Sequence, residues 1–257
     1  MMPSYFVAHG APSLVLEDHA YTDFLKSFFR SRPKPEAIVL FSAHWESRTQ
    51  TIGAVPGTYE TIYDFGGFQE ELYRMTYPAR GDKALSDEIG RLLKENGIES
   101  TANVERGLDH GAWAILKLMY PEADIPVVAL SVNRYLTNEE QYKIGRSLAE
   151  LRERNVMIVG SGGTVHNLRR VDWRADTAAE WAVAFDAWLE EKLTAWDTEA
   201  MFRYRADAPF AVEAVPTNEH FVPLLLAMGA GDGSRQAELL HRSYQYGTLS
   251  LSCWQFA

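Results

Sequence analysis

Residues 37–47 read AIVLFSAHWES. Ala37 to Phe41 form a short, uninterrupted apolar run rich in large side chains, the pattern of a strand buried on both faces rather than one with a solvent side. The run then breaks into Ser42, Ala43, His44, Trp45 and Glu46. A buried strand that delivers polar and titratable groups at its carboxyl end belongs to an open α/β sheet, where ligands bind beyond the carboxyl ends of the strands.

The rest of the chain repeats this design. Strands are expected over 4–8 (SYFVA), 50–55 (QTIGAV), 126–132 (PVVALSV) and 156–161 (VMIVGS), alternating with longer amphipathic stretches near 20–30, 82–96, 111–119, 138–153, 177–195 and 220–228. In GDKALSDEIGRLLKENGI the residues Leu85, Ile89, Leu92 and Leu93 recur at i, i+4, i+7 and i+8, and Gly97 stands where a helix needs a left-handed cap. Strands alternating with helices predict an α/β fold, with a mostly parallel central sheet. The final stretch, SYQYGTLSLSCWQF, alternates polar and apolar residues and reads as a hairpin or added strand. No linker, repeat or biased segment interrupts the chain, so 1–257 is expected to form a single domain.

With 46% hydrophobic residues among 257, the chain can bury a substantial core. A formal charge of −10 and the lack of a basic cluster argue against nucleic acid or an anionic membrane as partner. Cys253 is the only cysteine, which excludes an intramolecular disulfide and a thiolate cage for a metal. The N-terminus lacks the basic and apolar regions of a secretory signal, and no run of about 18 apolar residues exists. A cytoplasmic protein is expected.

Seven histidines remain to be placed. His9 follows SYFVA and precedes Gly10, Ala11 and Pro12; His44 has the same position at the end of its strand. Each suits either a metal ligand or a turn histidine bonded to backbone. His166 closes the glycine-rich loop GSGGTVHN, which matches neither phosphate-binding glycine signature. His110, in GLDHGAW, precedes a helix and reads equally as a capping or core histidine and as a catalytic one. His220 opens an apolar helix beside Glu219, a second candidate ligand. His19 and His241 sit in polar stretches read as exposed helix and are assigned no role. The absence of H-E-x-x-H rules out the zincin arrangement, and the absence of G-x-S-x-G weakens a serine hydrolase. A mononuclear site with dispersed ligands is what remains.

Taken in order, HGAPS, FSAHWES, YDFGGFQEELYRMTYPARG, GLDHGAW, GSGGTVHN and NEHFVPL closely resemble the class III extradiol ring-cleavage dioxygenases, and within them the 4,5-DOPA dioxygenase-like family. The resemblance implies a three-layer αβα sandwich, with a mononuclear non-haem metal at which a catechol ring is opened with O2. It implies His9, His44 and His220 as metal ligands, His166 as the catalytic acid/base histidine, and His110 as the catalytic histidine that faces substrate or oxygen. Fe(II) is the metal it implies for activity, with Zn(II) able to occupy the same three imidazoles. Trp45, Tyr63 and Phe65 are candidates for aromatic walls around the catechol, or for ordinary core. Two departures stand out. A third histidine replaces the carboxylate usual in the wider class, which leaves Glu219 as an alternative ligand. Gln69 occupies a loop position where the family usually has proline. Two other readings use the same histidines: a zinc-dependent hydrolase, and a non-enzymatic metal-binding relative. An acid/base pair beside the metal speaks against the last.

Overall fold

A computed structural model describes residues 1–257. Eight strands form one sheet: β1 (Ser4–Ala8), β2 (Ala37–Glu46), β3 (Gln50–Gly53), β4 (Ser100–Asn103), β5 (Val127–Val132), β6 (Val156–Gly162), β7 (Ala237–Gln245) and β8 (Leu249–Phe256). Their order is β4–β3–β5–β2–β6–β1–β8–β7. The central block β5–β2–β6–β1 is parallel, as is β3 with β4. The terminal hairpin β7–β8 adds antiparallel strands beside β1, and β3 meets β5 antiparallel at Ile52 and Leu130.

The helices are α1 (Ala20–Arg30), α2 (Lys83–Glu95), α3 (His110–Met119), α4 (Asn138–Ser147), α5 (Glu180–Thr194), the short α6 (Thr198–Phe202), α7 (Tyr204–Asp207) and α8 (Ala211–Ala214), and α9 (Val222–Ala230). Strand β2 shows why they sort into two layers. Ile38 and Leu40 pack with Tyr21, Leu25 and Phe29 of α1 and Trp113 of α3, whereas Val39 and Phe41 pack with Leu85, Ile89 and Leu92 of α2 and Ile144 of α4. Alternate side chains of a strand point to opposite faces, so a continuously apolar strand requires cover on both. The α/β three-layer architecture expected from the sequence is the one observed.

Differences from expectation have local causes. The helix expected over 138–153 stops at Ser147 and continues as a 3-10 turn, Ala149–Arg154, ended by Asn155 at φ 60°. That turn directs Arg152 inward, 1% exposed, where its guanidinium donates to the carbonyls of Met2, Ala230 and Phe256. Strand β3 ends at Gly53, and Ala54 donates instead to Asn103 at 2.7 Å. Strand β4 is polar and largely exposed, so it carries no apolar pattern to betray it. His241 lies on β7, not on an exposed helix; its ring sits 5.0 Å from that of Tyr21 and 5.2 Å from that of Phe24.

Helix α9 is buried along its whole length and lies against β6. Its approach depends on glycine. A Cβ on Gly162 would stand 2.1 Å from the His220 carbonyl, so only glycine lets the chain just before α9 cross the sheet there. Gly162→Ala is expected to destabilise the metal-free protein by about 2 kcal/mol, the cost of an overpacked core site, and to weaken metal binding by displacing His220. Denaturant unfolding and a metal titration check the two effects.

Candidate metal centre

Strands β2, β6 and β1 are neighbours, and all three end on the same edge of the sheet. His9 follows β1, His44 lies at the end of β2, and His166 lies in the loop after β6. The pairing of β2 with β5 slips between Phe41 and Glu46, so the residues that carry His44 leave the regular ladder where the strand must re-aim its side chains. His220 arrives immediately before α9, and His110 is the first residue of α3.

These placements bring five imidazoles together. His44 Nε2 lies 3.0 Å from His9 Nε2 and 3.3 Å from His220 Nε2. The His110 ring is 4.0 Å from that of His44 and 5.5 Å from that of His9. The His166 ring stacks on His220, with centroids 3.5 Å apart and planes 7° from parallel. His9, His110 and His220 are 1%, 5% and 6% exposed, whereas His44, its side chain 24% exposed, and the half-buried His166 open the cluster to one side.

The tautomers decide what such a cluster is for. Ser161 Oγ donates to the Gly111 carbonyl, which leaves it to accept from His9 Nδ1 at 3.0 Å. His220 Nδ1 lies 3.1 Å from Glu219 Oε1, and His44 Nδ1 lies 3.4 Å from Asp64 Oδ2. A nitrogen facing a carboxylate carries its proton there, because a lone pair would be repelled. Each of the three rings therefore has its N–H on Nδ1 and a bare lone pair on Nε2. Two acceptors, on His9 and His220, each facing the acceptor on His44 with no donor between them, make an arrangement that a cation resolves. Nitrogens about 2.0–2.1 Å from one ion stand about 2.9 Å apart at right angles and about 3.4 Å apart at tetrahedral angles, and both measured separations fall in that interval. The residues fit a divalent metal with partners behind each imidazole.

Two separate sets have the spacing of metal ligands, His9–His44–His110 and His166–Glu219–His220, with His44 and His220 joining them through their Nε2 atoms 3.3 Å apart. His110 Nδ1 lies 3.0 Å from Asp64 Oδ1, so this face of the ring is turned to a carboxylate. Glu219 stands behind His220 on the Nδ1 side, where Thr217 also donates to it at 2.9 Å. His44 Nε2 thus faces the Nε2 atoms of both His9 and His220, while Asp64, Glu219 and Ser161 stand on the Nδ1 sides of the rings.

Burial, then the charges of His110 and His220, hold His44 down at about 2; burial and the adjacent His220 lower His166 to about 3, well below the unperturbed value of a free imidazole. Although burial works the other way, the N–H groups of His110 hold Asp64 at about 2. Glu219, also raised by burial, is held at about 2 by His220 and Thr217. For a histidine whose folded pKa is depressed, the unfolded chain takes up protons first. Stability contributed by the neutral cluster is therefore complete above about pH 6.5 and is lost as pH falls from there toward 2–3. The metal-free protein is expected to unfold more easily at pH 5 than at pH 7.5, by roughly 2 kcal/mol for one such group. A pH series of denaturant midpoints checks this; a midpoint that rises on acidification contradicts it.

The aromatic candidates separate. The Phe65 ring lies 5.8 Å from that of His110 and belongs to the site's surroundings. Tyr63 packs 6.2 Å from Phe65, its hydroxyl donating to the Met75 carbonyl at 2.7 Å. Trp45 is 7% exposed under the Arg106 guanidinium, 5.1 Å from its ring, and makes no aromatic contact with the imidazoles. Gln69 is exposed. Sequence reasoning passed over Asp64, Ser161 and Asp109. Asp109 caps α3 and accepts from Ser42 Oγ at 2.6 Å and Arg106 Nη2 at 3.1 Å, with burial raising its pKa. Gly111 completes this wall: a Cβ there would come within 2.9 Å of His44 Cδ2. The Asp109–His110–Gly111 order in GLDHGAW was a visible signal for the cap; nothing local marked Asp64 or Ser161.

A family model for the catalytic LigB subunit of aromatic ring-opening dioxygenase matches residues 4–256. The chain is 40% identical over 257 residues to a 4,5-DOPA dioxygenase extradiol of Beta vulgaris, covering 98% of this chain and 96% of that one. It is 39% identical over 256 residues to a protein of the same name from Escherichia coli K12, with coverage of 97% and 93%. The crystal structure of an uncharacterized protein from Escherichia coli K12 superposes over 100% of both chains, with a TM-score of 0.85 and 35% identity.

Proposed function

This chain belongs to the LigB family of aromatic ring-opening dioxygenases, and on that premise we propose that it opens a DOPA-like catechol with O2 at an Fe(II) held by His9, His44 and His220. The protein is an extradiol dioxygenase: the bond broken lies next to the two hydroxyls, not between them. The observation that supports the metal assignment is the approach of the His9 and His220 Nε2 atoms to that of His44, with the Nδ1 atom of each ring facing an acceptor. Three imidazoles on one side of an ion leave other positions open for reactants.

When bound, the ion supplies Lewis acidity and a common meeting place for catechol and O2. The chain does the rest. His166, neutral at working pH and stacked on His220, is placed to take a proton from a catechol hydroxyl and return it to the ring-opened product. His110, with Nδ1 against Asp64, is placed to accept a proton at Nε2 and, once it carries that proton, to stabilise negative charge that develops on oxygen. Phe65 and Tyr63 form an apolar wall that limits water, while Trp45, buried under Arg106, contributes to the wall only through packing.

No helix is long and apolar enough to cross a membrane. We read the chain as one catalytic domain, 1–257, acting in the cytoplasm on a small molecule, without nucleic acid. The terminal strands β1 and β8 lie side by side in one sheet, and the single thiol, Cys253, is buried. The test is anaerobic loading with Fe(II) followed by oxygen uptake with DOPA, catechol and protocatechuate. Uptake coupled to a ring-opened semialdehyde is expected. No uptake with any of them at verified iron occupancy would overturn the reading, and hydrolysis by the zinc form would favour the hydrolase.

A further inference from the structure

Asp64 occupies a place in the site that no metal ligand or substrate contact explains. It sits in YDFGG between Tyr63 and Phe65, with its side chain 22% exposed. Oδ1 accepts the backbone N–H of His110 at 2.9 Å and lies 3.0 Å from His110 Nδ1. Oδ2 lies 3.4 Å from His44 Nδ1. One carboxylate therefore stands behind two imidazoles that have different tasks. His110 Nδ1 is buried and forms no regular hydrogen bond, so Asp64 Oδ1, 3.0 Å away, is the polar group it faces. An imidazole lone pair at these distances from an anionic oxygen would be repelled, whereas an N–H is attracted.

We propose, resting on the dioxygenase reading above, that Asp64 is a positioning residue for ring cleavage, fixing His44 and His110 together with their Nδ1 protons toward it and both Nε2 atoms toward the reaction centre. A carboxylate behind an imidazole raises its donor strength and locks its orientation, which for His44 means a tighter hold on the metal. For His110 it means an Nε2 lone pair that must first take up a proton from a reactant before the ring can stabilise charge on oxygen. The direction of the carboxylate is itself set by packing. Tyr63 is tied by its hydroxyl to Met75, and Phe65 packs 5.2 Å from Tyr73, so Asp64 hangs between two anchored rings. The aromatic loop and the metal site thus share one joint.

The pattern makes a selective prediction, because His9 and His220 have acceptors of their own in Ser161 and Glu219. In 15N spectra of the metal-free wild-type protein at pH 7.5, His44 and His110 are expected as Nδ1–H tautomers. Asp64→Asn, which offers an N–H where a carboxylate oxygen stood, is expected to flip one of them while leaving His9 and His220 unchanged. Zn(II) affinity measured by chelator competition is expected to fall about 10–100-fold, and Asp64→Glu to recover part of it. In the Fe(II)-loaded enzyme kcat is expected to fall more than KM changes. Wild-type His44 or His110 found as Nε2–H overturns the proposal, even if the variant does not fold. So does an Asn variant with unchanged tautomers and metal affinity. If the tautomers and affinities behave as stated but the iron-loaded wild type consumes no oxygen, the dioxygenase reading fails while the positioning of the metal site by Asp64 stands.

Discussion

His44→Ala is expected to lower metal affinity more than 100-fold and to remove ring-opening activity altogether. His44 Nε2 lies 3.0 Å from that of His9 and 3.3 Å from that of His220, so its loss leaves two imidazoles that no longer define one side of an ion. Removing a partner behind a ligand costs about 10–100-fold in affinity, and removing the ligand itself costs more. The stability of the variant should show an opposite trend when no metal is present. His44 is held neutral against its unperturbed tendency, at about 2, by burial and by His110 and His220. Its deletion relieves that penalty below pH 6.5, so the metal-free variant should lose less stability on acidification than the wild type. Chelator competition and a pH series of unfolding midpoints measure the two sides. Retained affinity would exclude His44 from the ligand set.

His166→Ala is expected to give the second largest effect and a different signature. Its ring stacks on His220 without an Nε2 contact among the three converging nitrogens, and its backbone N–H donates to Ala214 at 2.9 Å. Metal affinity should therefore change only a few-fold. Turnover should fall about 10²–10⁴-fold, the usual contribution of a positioned acid/base group, with a smaller change in KM. Added imidazole should restore part of the rate. Loss of the metal would instead make His166 a ligand and shift the centre toward His166, Glu219 and His220.

The sequence carried the strands and the sheet edge well. AIVLF could be read as buried on both faces because its neighbours in the sheet and both helix layers demand apolar residues at every position, and the histidines at strand ends followed from that geometry. Elements stabilised mainly by tertiary contacts were not legible. Strand β4 is polar, α6 to α8 span five residues or fewer, and His241 reads as surface because its aromatic neighbours come from α1, more than two hundred residues away. The same limit applied to the site. His9, His44 and His220 carry their chemistry in their residue type, but Asp64 and Ser161 act through the direction they give to a ring, which depends on loops meeting in space. Burial also sets a property that residue type alone does not fix, the lowered basicity of His166.

X-ray absorption of the protein loaded with one equivalent of Fe(II) tests the centre most directly, with His9→Ala, His44→Ala and His220→Ala as comparisons. Three imidazole nitrogens per metal in the wild type, and one fewer in each variant that still takes up the ion, is the expected result. A site with a carboxylate in place of His220, or one whose imidazole count is indifferent to any of the three substitutions, would contradict the account.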